Sequence, residues 1–135
     1  MELTIFSNPT NVRLVEDFIF ESCEALRLSD DDINALMIAV TEASNNAIHH
    51  GNQGDPGKTV RVSMDLVGNQ LTVSVTDQGK GFDPHKLPDP LAEENLLKTS
   101  GRGVFLMKNI MKDVKYNFSA EGTTVTMTFH VSPNS

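Results

Sequence analysis

Residues 59–77, Thr59-Val60-Arg61-Val62-Ser63-Met64-Asp65-Leu66-Val67-Gly68-Asn69-Gln70-Leu71-Thr72-Val73-Ser74-Val75-Thr76-Asp77, alternate apolar and polar side chains on either side of Gly68-Asn69. Val60, Val62, Met64 and Leu66 face one way, and Arg61, Ser63 and Asp65 the other. Period-two alternation is the signature of strands with one buried face. Gly68-Asn69 supplies the turn of a hairpin. Leu71, Val73 and Val75 repeat the pattern, and Asp77 continues their odd-numbered series. A carboxylate is therefore aimed into the apolar layer, which is costly unless hydrogen bonds compensate it.

Outward from this hairpin the period changes. Residues 2–7 read as a short strand, broken by Asn8-Pro9-Thr10-Asn11. Val12, Val15, Phe18, Ile19, Cys23 and Leu26 recur at helical spacing over 12–27. Ser29-Asp30-Asp31-Asp32 starts a second helix, with acids where the helix dipole favours them, running to about Gly51. Downstream, residues 78–100 are rich in Gly, Pro, Asp and Lys and weakly periodic, the composition of a functional lid or of a disordered stretch. Val104, Leu106, Met107, Ile110 and Met111 predict a third helix from Gly103, followed by strands near 113–119 and 123–131. The order β-α-α-β-β-loop-α-β-β predicts an α+β two-layer sandwich: a mixed, mainly antiparallel sheet covered on one face by helices. The length, 135 residues, fits one domain over 1–135.

The formal charge of −7 and the absence of Trp argue against a nucleic-acid surface or a base-stacking platform. Residues 1–57 hold ten acids and two bases, whereas residues 58–135 hold eight acids and nine bases. The acidic part serves solubility or meets a basic partner. Cys23, the single cysteine, excludes an intrachain disulfide and reads as a small buried side chain. No signal peptide and no apolar run of about 20 residues is present, so a cytoplasmic location without a membrane segment is expected.

Three polar groupings carry chemistry. On the helix over 30–50, Ile33, Val40 and Ala47 centre one face, and Glu42, Asn46 and His49 fall opposite. Glu42 and Asn46 are one turn apart, so carboxylate and amide oxygens adjoin and suit Mg²⁺, which retains waters and takes phosphate oxygens. A solvated helix face is the plainer account of Glu42 alone. Asp77 followed by Gly79 and Gly81 fits an acceptor for an adenine amine beside backbone that can pass close to a flat ligand. An Asp capping a turn is the plainer account. Thr99-Ser100-Gly101-Arg102-Gly103-Val104 places free backbone N–H groups at a helix start, with Lys98 and Arg102 adding charge for phosphate. It lacks the Lys-Ser/Thr ending of a P-loop, and no βαβ unit surrounds it. His49 and His50 point about 100° apart on a helix with no third ligand nearby, so packing accounts for them better than zinc.

Read together, Glu42-Ala43-Ser44-Asn45-Asn46-Ala47-Ile48-His49-His50-Gly51, Asp77-Gln78-Gly79-Lys80-Gly81, Gly101-Arg102-Gly103 and Gly122-Thr123-Thr124 resemble the ordered boxes of the histidine-kinase-like, or Bergerat-fold, ATPase superfamily. Within it, the small size and the Glu-x-x-x-Asn-Ala-x-x-His-Gly form resemble bacterial anti-sigma-factor serine/threonine protein kinases. The resemblance implies ATP and Mg²⁺ as cofactors. It implies Glu42 as catalytic base, Asn46 as Mg²⁺ ligand, and Asp77 as the adenine contact with Gly81 and Thr123 nearby. Gly101 and Gly103 would cradle phosphates under a lid at about 84–100, and Gly79, Lys98, Ser100, Arg102 and Val104 complete the nucleotide contacts. It further implies an antagonist protein as substrate, a sigma factor as second partner, and a homodimer.

Two positions depart from the family pattern. Thr99 stands where an Arg often precedes the Ser-Gly of the third box, and Arg102 stands where a small or apolar residue is common. Two functions therefore stay open: a serine kinase acting on the antagonist, and a non-catalytic ATP-gated binding module of the same fold.

Overall fold

The computed structural model describes residues 1–79, 109–119 and 122–131. Strand β1 (Glu2–Phe6) leads through a short 3₁₀ turn, Pro9–Asn11, into helix α1 (Val12–Ala25). Helix α2 (Asp30–Asn46) follows and widens into a π turn, Ala47–Gly51. Strands β2 (Thr59–Val67) and β3 (Gln70–Asp77) form the hairpin, and β4 (Asp113–Ser119) and β5 (Gly122–His130) complete the sheet. The helix expected from Gly103 and the lid expected at 84–100 lie outside the described residues, apart from helical Asn109 and Ile110.

The strand order is β1-β2-β3-β5-β4, and every pairing is antiparallel. The hairpin register sets Val67 opposite Gln70 and Val60 opposite Asp77, so Gly68-Asn69 is a two-residue turn, with Gly68 at φ 62°. The two helices cover one face. Val15, Ile19, Leu36, Val40 and Ile48 from the helix layer meet Val62, Met64, Leu71, Val73 and Met127 from the sheet, all fully buried. Each such side chain stabilises the fold by about 1.5–3 kcal/mol relative to exposure. The other face is polar: Thr72 opposes Thr128, Ser74 opposes Thr126 and Thr76 opposes Thr124. The Thr76 and Thr124 hydroxyls lie 3.0 Å apart.

The helix ends follow from local chemistry. Asn8 Oδ1 accepts from Thr10 N at 3.0 Å and fixes the turn into α1. Helix α1 closes with Arg27 N donating to Glu24 O and Leu28 N to Cys23 O, both at 3.0 Å, with Arg27 in the left-handed region at φ 58°. That pair of bonds is a Schellman ending with Arg where Gly is usual, so the helix stops two residues before the expected 27. Ser29 Oγ accepts from Asp32 N at 3.2 Å at the start of α2.

The far end of α2 departs from expectation. A continuous helix to about Gly51 is expected, but Asn52 N donates to Ala47 O at 2.8 Å, a bond spanning five residues. The packed face is wider than Ile33, Val40 and Ala47 alone mark: Ala39 is fully buried, whereas Ile38 is exposed. Glu42 and Asn46 are half-buried at the margin of the packed face, and His49 and His50 are exposed.

Candidate functional site

Asp77 ends β3 on the helix side of the sheet, as the odd-numbered series requires, and is 6% exposed. Its Oδ1 accepts from Gly79 N at 2.9 Å and from Thr123 N at 3.1 Å. Two amide donors on one oxygen fix the direction of the carboxylate and leave Oδ2 without a donor among the described residues. Burial pushes the Asp77 carboxyl above the ordinary carboxylate value, while the two amides and the Lys58 charge pull it back.

The resemblance implies Thr123 near Asp77; in the structure its main-chain N–H makes the contact. Gly79 is also there, held against Gly51: a Cβ on Gly79 would overlap the Gly51 carbonyl oxygen. A Cβ on Gly51 would in turn overlap Asp77 Oδ2. The end of α2 and the end of β3 therefore touch backbone to backbone, and only glycine permits it.

The π turn delivers this contact. Widening after Asn46 lets Gly51 fall on Asp77 while Glu42 and Asn46, one turn apart on α2, keep the phase set by the core. The turn and β3 pack directly together, which brings the Glu42–Asn46 helix and the Asp77 strand end to one side of the sheet. Asn46 offers an amide oxygen that fits Mg²⁺, the ion the donor chemistry favours. Among the described residues no group of three His, Cys, Asp or Glu side chains is placed to hold a metal. Gly81, Lys98, Ser100, Gly101, Arg102, Gly103 and Val104 lie outside the described residues.

Asn52 and Ser7 were not singled out from sequence. Asn52 is 1% exposed and Ser7 fully buried. Asn52 Oδ1 accepts from Gln78 N at 2.7 Å, and its Nδ2 donates to Thr59 O at 2.9 Å and to Ser7 Oγ. An Asn in Gly51-Asn52-Gln53-Gly54 reads as a turn former, and nothing in the sequence signals its burial.

A hollow of about 380 Å³ opens elsewhere, on the polar face of the sheet. Asp77 and Gln78 contribute to its rim, but Thr4, Arg61, Thr76 and Thr124 line it from the side away from the helices. The chemistry set out above lies on the helix side, where Asp77 makes its bonds.

Residues 5–129 match the family described as histidine kinase-like ATPase domain, and the chain belongs to that family. Similar proteins within it are named serine-protein kinase and anti-sigma factor. A serine-protein kinase RsbW from Bacillus licheniformis is 31% identical over 134 residues, covering 95% of this chain and 83% of the relative. An anti-sigma F factor from Anoxybacillus flavithermus is 33% identical over 105 residues, covering 76% of this chain and 72% of the relative. The crystal structure of the RsbU and RsbW domains of a Mycobacterium tuberculosis protein superposes over 100% of this chain and 33% of its own, with TM-score 0.69 at 20% identity. That likeness is one of fold. Among the described residues no helix is long and apolar enough to cross a membrane.

Proposed function

We propose that this chain is an ATP-dependent serine protein kinase of the anti-sigma type. It transfers the γ-phosphoryl group of ATP to a serine of a small antagonist protein, and it exchanges that partner for a sigma factor. It acts in the cytoplasm as a homodimer. The observation that carries the reading is Asp77: a buried carboxylate fixed by two amides, with its second oxygen turned to the helix side. That acceptor suits the exocyclic amine of adenine and opposes the guanine carbonyl oxygen.

Glu42 is the base. It stands half-buried on α2, one turn before Asn46. As the serine Oγ bonds to the γ-phosphorus, the bond from that phosphorus to the β,γ-bridging oxygen breaks and ADP leaves. The serine proton passes to the Glu42 carboxylate. Asn46 would hold Mg²⁺, which would neutralise charge on the phosphate oxygens. Gly79, Gly81 and Thr123 border the base. Lys98, Ser100, Gly101, Arg102, Gly103 and Val104 hold the phosphates, with Lys98 and Arg102 supplying positive charge in place of the Arg that Thr99 replaces. Positioning and charge stabilisation supply most of the rate in phosphoryl transfer of this kind.

The test is incubation of the chain and its Glu42→Ala variant with γ-labelled ATP, Mg²⁺ and candidate antagonist proteins. Labelled serine with the parent chain, lost in the variant while ATP affinity stays within about threefold, supports the assignment. Transfer that persists in Glu42→Ala removes Glu42 as the base. ATP binding with no label in any antagonist turns the reading to an ATP-gated binding module.

A further inference from the structure

Asn52 occupies a loop but behaves as a core residue. All three hydrogen-bonding groups of its side-chain amide that point inward are used, and each reaches the end of a different strand. Ser7 follows β1, Thr59 opens β2 and Gln78 follows β3. Gln78 closes the arrangement, its Oε1 accepting from Thr59 N at 2.8 Å. The bond from Gln78 N to Asn52 Oδ1, at 2.7 Å, acts on the peptide immediately after Asp77. The residue before Asn52 is Gly51, packed so near the carboxylate that a Cβ on it would overlap Asp77 Oδ2. The Gly51-Asn52 pair therefore grips the Asp77 strand end twice, on the carboxylate and on the following main chain.

We propose that Asn52 is a positioning residue for nucleobase recognition: it sets the Asp77 carboxylate in register with the helix that carries Glu42 and Asn46. The inference rests on the adenine reading of Asp77 given above. Discrimination between adenine and guanine depends on the direction of one acceptor, and a shift of about 1 Å in a positioned group is enough to lose much of its effect. Gly79 N and Thr123 N orient Asp77 from the strand side; Asn52 holds the main chain that carries it against α2.

A purely structural staple makes a different prediction from a positioning residue, and two substitutions separate them. Asn52→Asp keeps an oxygen to accept from Gln78 N but sets a second oxygen against the Thr59 carbonyl. Asn52→Ala loses both. For each, melting temperature and the dissociation constants of ATP and GTP are measured, with Mg²⁺ present. Asn52→Asp is expected to melt lower yet keep ATP affinity within about threefold of the parent. Asn52→Ala is expected to lose about tenfold in ATP affinity while GTP affinity changes little, so that the ATP preference shrinks by about the same factor. Where Asn52→Ala yields no folded protein, Asn52→Ser, polar but too short to reach Gln78 N, carries the same expectation. Ser7→Ala, which removes only the Ser7 contact, should lower the melting temperature and leave the ATP-to-GTP ratio unchanged. The proposal is overturned if ATP affinity tracks melting temperature across all the variants, or if Asn52→Ala keeps the full ATP preference. A parent chain that binds ATP and GTP equally overturns the adenine reading itself, and the inference with it.

Discussion

The carbonyl oxygen of Gly51 occupies the space that a Cβ on Gly79 would need. Helix α2 and strand β3 meet there, main chain on main chain, next to the Asp77 carboxylate. Gly79→Ala must push one of the two backbones away, and backbone has no rotamer with which to yield. A loss of about 1–3 kcal/mol in stability is expected, from a buried residue just past the end of β3. ATP affinity should fall as well, because the displaced segment carries Asp77. Urea denaturation and nucleotide titration of the same preparation check both effects.

Asp77→Asn separates stability from recognition. The amide oxygen can still accept from Gly79 N and Thr123 N, which places the NH₂ group where Oδ2 now stands. A donor there faces the adenine amine, another donor. The loss of one hydrogen bond to a charged acceptor, about 2–3 kcal/mol, predicts ATP binding weaker by about 30–150-fold. The fold itself should be no less stable at neutral pH, since a desolvated charge has been removed. Isothermal titration and thermal melts on parent and variant test the two halves.

The same carboxyl sets a pH dependence. Its value in the folded chain is raised above the ordinary 3.8, chiefly by burial. Above 3.8 the native state therefore holds this proton longer than the unfolded chain does. Stability from this group is present at low pH and is lost as pH rises through the folded value. Denaturation midpoints between about pH 4 and 7 should show a downward contribution with rising pH in the parent, relative to Asp77→Asn. Parallel pH profiles for the two proteins would exclude it.

Cys23 is fully buried, and burial with the nearby Asp32 charge pushes its thiol up to about 11. The thiolate is the reactive form, so the folded chain should resist a thiol reagent at pH 8. Labelling should appear in urea along the same transition that circular dichroism reports. Rapid labelling of the native chain would contradict the burial of α1 against the sheet.

Gln53 adopts φ 53° in the loop after the π turn. It is exposed, and the left-handed region strains any residue with a side chain. Gln53→Gly should leave ATP affinity unchanged and raise stability by about 0.5–1 kcal/mol, the relief of strain exceeding the entropy that glycine adds to the unfolded chain. Urea midpoints resolve a change of that size.

The sequence revealed most where period alone decides the outcome. Strict alternation across Gly68-Asn69 defines the hairpin, its register and the inward direction of Asp77, because a strand has only two faces. Helical spacing located α1 and α2 but did not single out buried Ala39, since Ile33, Val40 and Ala47 define the centre of a face better than its edges. Thr123 was expected near Asp77 from the family resemblance, yet its backbone does the bonding, and a motif match says nothing of main-chain donors. Arg27 concealed a helix end because the left-handed position usually announces itself with Gly. Asn52 and Ser7 were hidden for a different reason. Their burial comes from three strand ends and a loop converging, and those contacts join positions as far apart as 7, 52 and 78.

An α-helix is a screw with fixed gearing: each residue advances about 1.5 Å and turns about 100°. Anything mounted on it inherits both quantities together. The wide turn Ala47–Gly51 is a change of gear. Upstream, Glu42 and Asn46 obey the thread that the core cuts for α2; downstream, Gly51 and Asn52 obey the sheet. Length thus becomes as strict a requirement here as composition. Deleting one residue between 47 and 51 would rotate the docking pair by roughly a quarter turn and draw it back along the axis, detaching the Asp77 strand end from the helix that bears Glu42 even with every named side chain still present.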